Sequence, residues 1–389
     1  MIRFQLFLLL LLSGCAGPLW AQYALGHKTQ VFNDPARNNR AVSAEIYYPA
    51  TAAGDDQALA AGVFPVVVFG HGFVMSTGAY LNVAEALAPA GFVVCLPSTE
   101  SGFAPGHDNF ARDLAFLAAT MQAEGASIGS FWQGHIANRT ALMGHSMGGG
   151  AALLGTPLYA GITATAVFAP AETTPSAIGA CAQIQNPVLM FTGSQDCITP
   201  TANHAGPMFA ALDSVCKTHV DITGGNHCYF GDYNFNCNFG ETTTGCSPGI
   251  SREQQHEKVF ALLLPWLRFY LYDQADQWAV FQEKLGTTEG LVVTQDCPTA
   301  TAAPSPATPI TLRLSPNPAL RELLVQTSGQ LEAPPSGFTA IDSAGRSCEL
   351  SFQALSEGWM LDVSALPPGF YHLRMRSKKG EIRAGFIKN

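Results

Sequence analysis

The chain has 389 residues, 47% hydrophobic and 13% charged, with a formal charge of −9. That length allows two domains, and the acidic balance argues against a nucleic-acid partner. Low charge together with 38 glycines and 25 prolines points to a turn-rich exported protein rather than a cytosolic one. The charge is uneven: residues 22–311 carry 10 basic and 22 acidic side chains, whereas residues 312–389 carry 9 and 7. Two modules of different composition explain that split.

The N-terminus reads as a targeting segment. Arg3 precedes the apolar run Phe4 to Leu12, which is too short to span a bilayer. Leu19-Trp20-Ala21 places a small residue before Gln22, so cleavage after Ala21 is the preferred reading. Leu12-Ser13-Gly14-Cys15 offers an alternative, in which Cys15 is lipidated. No membrane span is expected after this segment, and the expected place is outside the cell or on the outer surface of a bacterium.

Residues 22–60 read as a strand pair. Phe64 to Phe69 and Gly91 to Leu96 are apolar runs of the kind that suit parallel strands buried on both faces. Helices are expected at Tyr80 to Ala90 and Asn109 to Glu124. Thr140 to Met143 is a short strand, followed by a glycine-rich turn and an alanine-rich helix. Further strands are expected at Ala164 to Phe168, Val188 to Thr192 and His219 to Thr223, then a long helix at Glu253 to Tyr272. Alternation of this kind predicts an α/β fold with a doubly wound, mostly parallel sheet. Thr299 to Thr311 is rich in proline, alanine and threonine and reads as a linker. After it come short strands at 320–326, 337–342, 348–352, 359–363, 369–375 and 382–387, which predict a small β-sandwich. The expected division is therefore a signal at 1–21, a catalytic domain at 22–298, the linker at 299–311 and the sandwich at 312–389.

Gly144-His145-Ser146-Met147-Gly148 sits between a strand and a helix. That is the context in which Gly-x-Ser-x-Gly forms a sharp turn that presents a serine nucleophile. Ser146 is the candidate nucleophile. Its base is expected at His227, in Gly224-Gly225-Asn226-His227, and its orienting carboxylate at Asp196, in Gly193-Ser194-Gln195-Asp196. Both follow strands, and the order Ser, Asp, His is the order of such hydrolases. Asp213, read within a helix, and Asp221, read within a strand, compete less well for the acid. His71, His145, His204 and His219 compete for the base; His71 and His145 read better as walls of the pocket, and His219 begins its strand. An acyl-transfer reaction also needs donors for the developing oxyanion. The backbone N–H groups of Met147 and Phe73 are the candidates, Phe73 belonging to the loop Gly70-His71-Gly72-Phe73. Glu172 hints at a polar wall. No metal and no cofactor is expected.

With these residues in hand, the chain resembles the dienelactone hydrolase, chlorophyllase and bacterial cutinase branch of α/β-hydrolases, and looks closest to its secreted polyester-hydrolase group. The resemblance covers about residues 60–270 and rests on Gly70 to Phe73, Ala88 to Val94, Gly144 to Gly150, Gly193 to Asp196 and Gly224 to His227. It implies a monomeric carboxylic ester hydrolase working through an acyl-enzyme on lipid, short acyl or polyester substrates. That group usually carries Trp where this chain has His145, and an aromatic clamp where this chain reads Ala169-Pro170-Ala171-Glu172-Thr173-Thr174. The departure argues against an aromatic polyester as natural substrate. The tail resembles the type A sorting domain of type IX secretion, through Leu314 to Ala319, Leu366 to Tyr371 and the ending Phe386 to Asn389. This implies the secretion machinery as a partner. An amidase with the same triad, or a non-catalytic adhesion protein, are the rival readings.

Nine cysteines follow Ala21, so disulfides are expected with at least one thiol left over. Cys181 and Cys216 precede neighbouring strands and are expected to pair. Cys197, Cys228, Cys237 and Cys246 are expected to share two bonds, with Cys197–Cys228 tying the acid loop to the base loop. The segment Tyr229 to Ser247 is expected to rim the pocket, with Phe230, Tyr233 and Phe235 as possible contacts or else as parts of a stapled surface loop.

Overall fold

The computed structural model describes residues 23–298 and, further on, 312–316, 319–327, 334–342, 346–355, 358–377 and 380–388. The signal segment with Cys15 and the linker lie outside the described residues. The chain divides into two compact units, 1–299 and 300–389.

The first unit is built on a ten-stranded sheet. Its strands are β1 (Ala24–Asp34), β2 (Arg40–Ala50), β3 (Gly54–Asp55), β4 (Phe64–Gly70), β5 (Val93–Pro97), β6 (Ile136–His145), β7 (Ile162–Phe168), β8 (Val188–Gly193), β9 (Lys217–Ile222) and β10 (Leu291–Asp296). They lie in the order β10-β9-β8-β7-β6-β4-β5-β2-β1-β3. From β5 through β9 the neighbours run parallel, whereas β2 against β5, β1 against β2 and β10 against β9 run antiparallel. The mostly parallel, helix-flanked sheet expected from the sequence is present.

Burial along each strand reports its place in the sheet. Every residue of β4 and β8 is buried, because helices cover both faces there. β9, nearer the edge, alternates buried and half-buried positions, and edge strand β10 is almost wholly exposed. In β4 the pleat sends Val66 and Val68 into one core with Leu114, Leu117 and Leu142. Val67 and Phe69 enter the other with Leu262, Leu263 and Trp266. Each such fully buried side chain contributes roughly 1.5–3 kcal/mol.

Eight helices connect the strands of this unit: α1 (Leu81–Leu87), α2 (His107–Ala126), α3 (Met147–Gly155), α4 (Ala177–Cys181), α5 (Ala205–Ala211), α6 (Phe235–Thr243), α7 (Arg252–Tyr272) and α8 (Asp276–Thr287). The start of α7 is set by a capping box, in which Ser251 and Gln254 satisfy each other's backbone N–H groups. The first helix is shorter than expected at both ends: Tyr80 belongs to a tighter 3-10 turn before it, and after Leu87 the chain passes into turns closed by Ala90 N to Leu87 O and Gly91 N to Ala88 O. Asp213 lies just beyond α5 rather than in a helix, and its carboxylate accepts from Gln185.

The second unit is a β-sandwich with two four-stranded antiparallel sheets. One orders β11 (Leu312–Ser315), β12 (Glu322–Thr327), β16 (Gly358–Asp362) and β15 (Phe352–Leu355). The other orders β14 (Ser347–Leu350), β13 (Gly337–Asp342), β17 (Gly369–Ser377) and β18 (Gly380–Lys388). Leu323, Val325 and Leu361 meet Phe338, Ala340, Leu373 and Met375 in one core. The single strand expected at 348–352 is two strands in different sheets, β14 and β15, because the chain crosses between layers at Ser351.

Candidate active site

The carboxyl ends of β4, β6, β8 and β9 bring the candidate residues together. Ser146 stands between β6 and α3 with φ 55° and ψ −121°, a left-handed-side conformation that costs a side-chain-bearing residue energy. Its surroundings hold it there: Ser146 N donates to Phe168 O at 2.9 Å, and Ser146 O accepts from Ala171 N at 2.8 Å and Gly150 N at 3.0 Å. The flanking glycines are a steric need. A Cβ on Gly144 would lie 2.3 Å from Gly148 O, and one on Gly148 would lie 2.1 Å from Gly70 O. The first turn of α3 leaves backbone N–H groups without partners inside the helix, and Met147 is its first residue.

His227 is buried in the loop that follows β9, and Asp196 is buried in the loop after β8. His227 Nδ1 donates to Asp196 Oδ2 at 2.7 Å, which leaves Nε2 as the basic nitrogen. The same Oδ2 accepts from Thr199 Oγ1 at 2.9 Å, and Oδ1 accepts from Ile198 N and Thr199 N, both at 2.8 Å. Burial works to raise the Asp196 pKa. The His227 charge and hydrogen bond, followed by the Thr199 donors, outweigh it and hold the carboxyl below its ordinary range. Ser146 and His227 both line one apolar cleft of about 340 Å³, together with Phe73, Val74, Met75, Phe103, Ile198, Asn236, Cys237, Phe239 and Gly240.

The expected pocket walls lie elsewhere. His71 is buried, its ring bonded to Gly72 O at 2.9 Å and Thr99 O at 2.8 Å, so it fastens two loops together. His145 is buried behind His227, its ring 4.5 Å from that of His227. Burial, and then the neighbouring His227, push the His145 imidazole well below its ordinary pKa, so it stays neutral. Phe230 is also buried, stacked on Phe168 at 5.6 Å. Glu172 accepts from Ile178 N at 2.9 Å and from Ser176 Oγ, tying down the start of α4. His71, His145 and Phe230 are buried, held by backbone carbonyls, by Tyr80 and by Phe168 in turn, whereas Glu172 is half-buried and spends its carboxylate on the start of α4. His219 lies within β9 and pairs with Thr192 Oγ1 at 2.8 Å, which removes it as a rival base. His204 Nδ1 accepts from Glu172 N at 2.9 Å.

Two site features escape the motif reading. Tyr80 is buried, and its hydroxyl accepts from Gly72 N at 2.7 Å and donates to His145 Nδ1 at 2.8 Å. It thereby pins the loop that carries Phe73. The wall formed by α6 is the other, since the sequence reads there as loop. A half-buried asparagine cap, Asn234 Oδ1 accepting from Cys237 N at 3.1 Å, starts that helix and is its one sequence signal.

The disulfides depart from the expected pairing. Four cysteines do share two bonds, but as Cys197–Cys246 and Cys228–Cys237. Formation of α6 folds Cys237 back onto Cys228 and brings Cys246 to the acid loop, so Cys197 and Cys228 do not meet. Cys216 bonds Cys297, because β10 pairs with β9 in a register that sets Asp296 opposite Lys217. Cys181 remains a buried thiol, pushed up to a pKa of about 12 mainly by that burial; Cys95 and Cys348 are also unbonded. Among the described residues, no group of acidic, histidine or cysteine side chains is arranged to hold a metal ion. No helix among them is long and apolar enough to cross a membrane.

A parallel sheet flanked by helices, with a strained Ser on the turn after β6 and a His–Asp pair at the same edge, defines an α/β-hydrolase. The chain belongs to the PETase family, described as PET hydrolase-like, which it matches over residues 33–243. It is 29% identical over 184 residues to the bis(hydroxyethyl) terephthalate hydrolase of Streptomyces coelicolor. That match covers 47% of this chain and 54% of the relative, so the chain spans about half the length of that protein.

Proposed function

We propose that the chain is a secreted carboxylic ester hydrolase that cleaves apolar and aromatic esters through a Ser146–His227–Asp196 triad. The observation that carries this reading is that Ser146 and His227 open onto one apolar cleft, with His227 Nδ1 held by an Asp196 carboxylate that accepts four hydrogen bonds. Ser146 Oγ attacks the ester carbon while its proton passes to His227 Nε2. The carbonyl oxygen becomes an oxyanion, held by the Met147 and Phe73 backbone N–H groups. Collapse breaks the bond to the alcohol oxygen, which takes the proton from His227 and leaves. Water then gives a proton to His227 and attacks the acyl-enzyme, releasing the acid and restoring Ser146.

The rim of the cleft favours aromatic esters. Phe73, Phe103 and Phe239 line the cleft yet are 51%, 85% and 60% exposed, and Phe235 stacks on Phe239 at 5.9 Å. These rings supply an aromatic surface from segments other than the loop 169–174. The missing clamp there therefore no longer argues against aromatic esters, and the relative's terephthalate diester becomes a fitting small substrate. Phe103→Ala and Phe239→Ala should each raise KM for a terephthalate diester about five- to tenfold, the scale of one aromatic contact. Their kcat/KM for p-nitrophenyl acetate should stay within twofold. Equal losses on both substrates would remove the rim from substrate binding.

Export is argued from the three disulfides, which persist in oxidising compartments, and from the targeting segment at 1–21. The 312–389 sandwich is proposed as the sorting domain. In a bacterium with type IX secretion, deletion of 312–389 should shift esterase from medium or surface to periplasm; unchanged secretion would sink that assignment.

A further inference from the structure

The loop that carries His227 leaves β9 at Ile222 and contains only a short 3-10 turn, Cys228–Phe230, just after the base. It is suspended between two helices. From α7, Gln255 accepts from Asn226 N and donates to Asn226 O, both at 3.0 Å. From α6, the buried Glu241 holds the next two residues. Glu241 Oε1 accepts from His227 N at 2.8 Å and from Cys228 N at 3.3 Å, and Oε2 accepts from Asn226 Nδ2 at 2.8 Å. Three donors and no acceptor meet this side chain, the pattern of a carboxylate.

The helix that supplies Glu241 is itself bound to both catalytic loops. Cys237, within α6, is bonded to Cys228, the residue after His227. Cys246, just beyond α6, is bonded to Cys197, the residue after Asp196. On the other side, Arg252 donates to Cys228 O at 2.5 Å and also to Gly231 O. Charge-assisted bonds to backbone N–H groups are short and roughly twice as strong as neutral ones. Loss of the acceptor would leave buried N–H groups of the base loop unpaired.

We propose that Glu241 is a positioning residue for the base: its carboxylate fixes the main chain of His227, and so keeps Nε2 in reach of Ser146 through the proton transfers. The inference rests on the triad reading above. It assigns α6 a second task, so that one face of the helix walls the cleft while Glu241 sets the base. Burial, the largest influence on Glu241, pushes its carboxyl above the ordinary range, against the His227 and Cys228 N–H bonds. An anion is kept there at that cost only because the donors surround it.

The test is steady-state kinetics on the full chain with a soluble p-nitrophenyl ester, comparing Glu241→Gln and Glu241→Ala with wild type and with Ser146→Ala. Glu241→Gln keeps the shape and one accepting oxygen but sets an amide N–H2 against either the backbone donors or Asn226. Its kcat should fall about tenfold, and that of Glu241→Ala about a hundredfold, with KM within twofold of wild type in both. A purely structural role would instead lower the amount of folded protein, read by thermal unfolding and by titration of active serine with a fluorophosphonate, and leave kcat per active site unchanged. That last result, or a wild-type kcat in Glu241→Gln, overturns the inference. Should Ser146→Ala keep its hydrolysis, the triad falls and the inference falls with it. An inactive Ser146→Ala beside a fully active Glu241→Gln removes the inference alone.

Discussion

Ser146→Ala should abolish ester hydrolysis, with kcat falling about 10⁵- to 10⁶-fold, the scale seen when the nucleophile of a serine triad is removed. The protein should fold as before. The turn is held by the main chain of residue 146, through its bonds to Phe168, Gly150 and Ala171, and alanine keeps all of them. Alanine is also smaller than serine, so the close approach of Gly148 to Gly70 is not disturbed. What remains is oxyanion stabilisation and binding in the cleft, which is worth a residual acceleration over water of about 10³- to 10⁴-fold. The check is kcat for p-nitrophenyl butyrate alongside thermal unfolding. A folded variant that keeps more than about one hundredth of the wild-type kcat would end the assignment of Ser146 as nucleophile.

Asp196→Asn should cost about 10⁴-fold in kcat while changing the shape of the site very little, because the defect is a tautomer and not a cavity. In the wild type, the carboxylate accepts at Oδ2 from His227 Nδ1, 2.7 Å away, and the proton held there leaves Nε2 free to take the one from Ser146. An asparagine must offer an oxygen to the two backbone donors, Ile198 N and Thr199 N. Its Nδ2 then points at His227 and donates. His227 answers by accepting at Nδ1 and carrying its proton at Nε2, where it cannot act as base. Asp196 does not line the apolar cleft, so KM should move less than threefold, about 0.6 kcal/mol. The decisive measurement is the pre-steady-state burst, which should shrink in rate and not in amplitude. A kcat within tenfold of wild type would mean that another group orients His227.

Local sequence was informative wherever chemistry and backbone geometry coincide over a few residues. Gly144 to Gly148 could be read because a Cβ at either glycine would strike main chain, so the composition of the turn announces the turn. The unbroken apolar run at β4 announced a strand buried on both faces. The long helical run from Glu253 to Tyr272 announced α7 to within one residue of its start. Each of these signals is decided within a single turn, strand or helix of chain.

Other features depend on partners far away in sequence. His71, His145 and Phe230 read as pocket residues because they lie beside candidate site positions in the chain, and Glu172 because it is the acidic residue of the loop after β7. Which way a side chain turns is decided by what waits on each side. Tyr80 waits for His145, Thr99 O for His71, Phe168 for Phe230, and the start of α4 for Glu172. Phe103 and Phe239, from a surface loop and from α6, could not be recognised as cleft residues until the chain had folded.

The sequence by itself determined the sheet-and-helix order, the strained serine turn and the three residues proposed as the triad, since each follows from periodicity or from a steric demand confined to neighbours. Only the tertiary structure decided the disulfide partners, the lining of the cleft and the attachment of the base loop to Glu241. Those depend on β10 lying beside β9 and on α6 folding back over His227, and contacts closed across dozens of residues leave no local pattern to read.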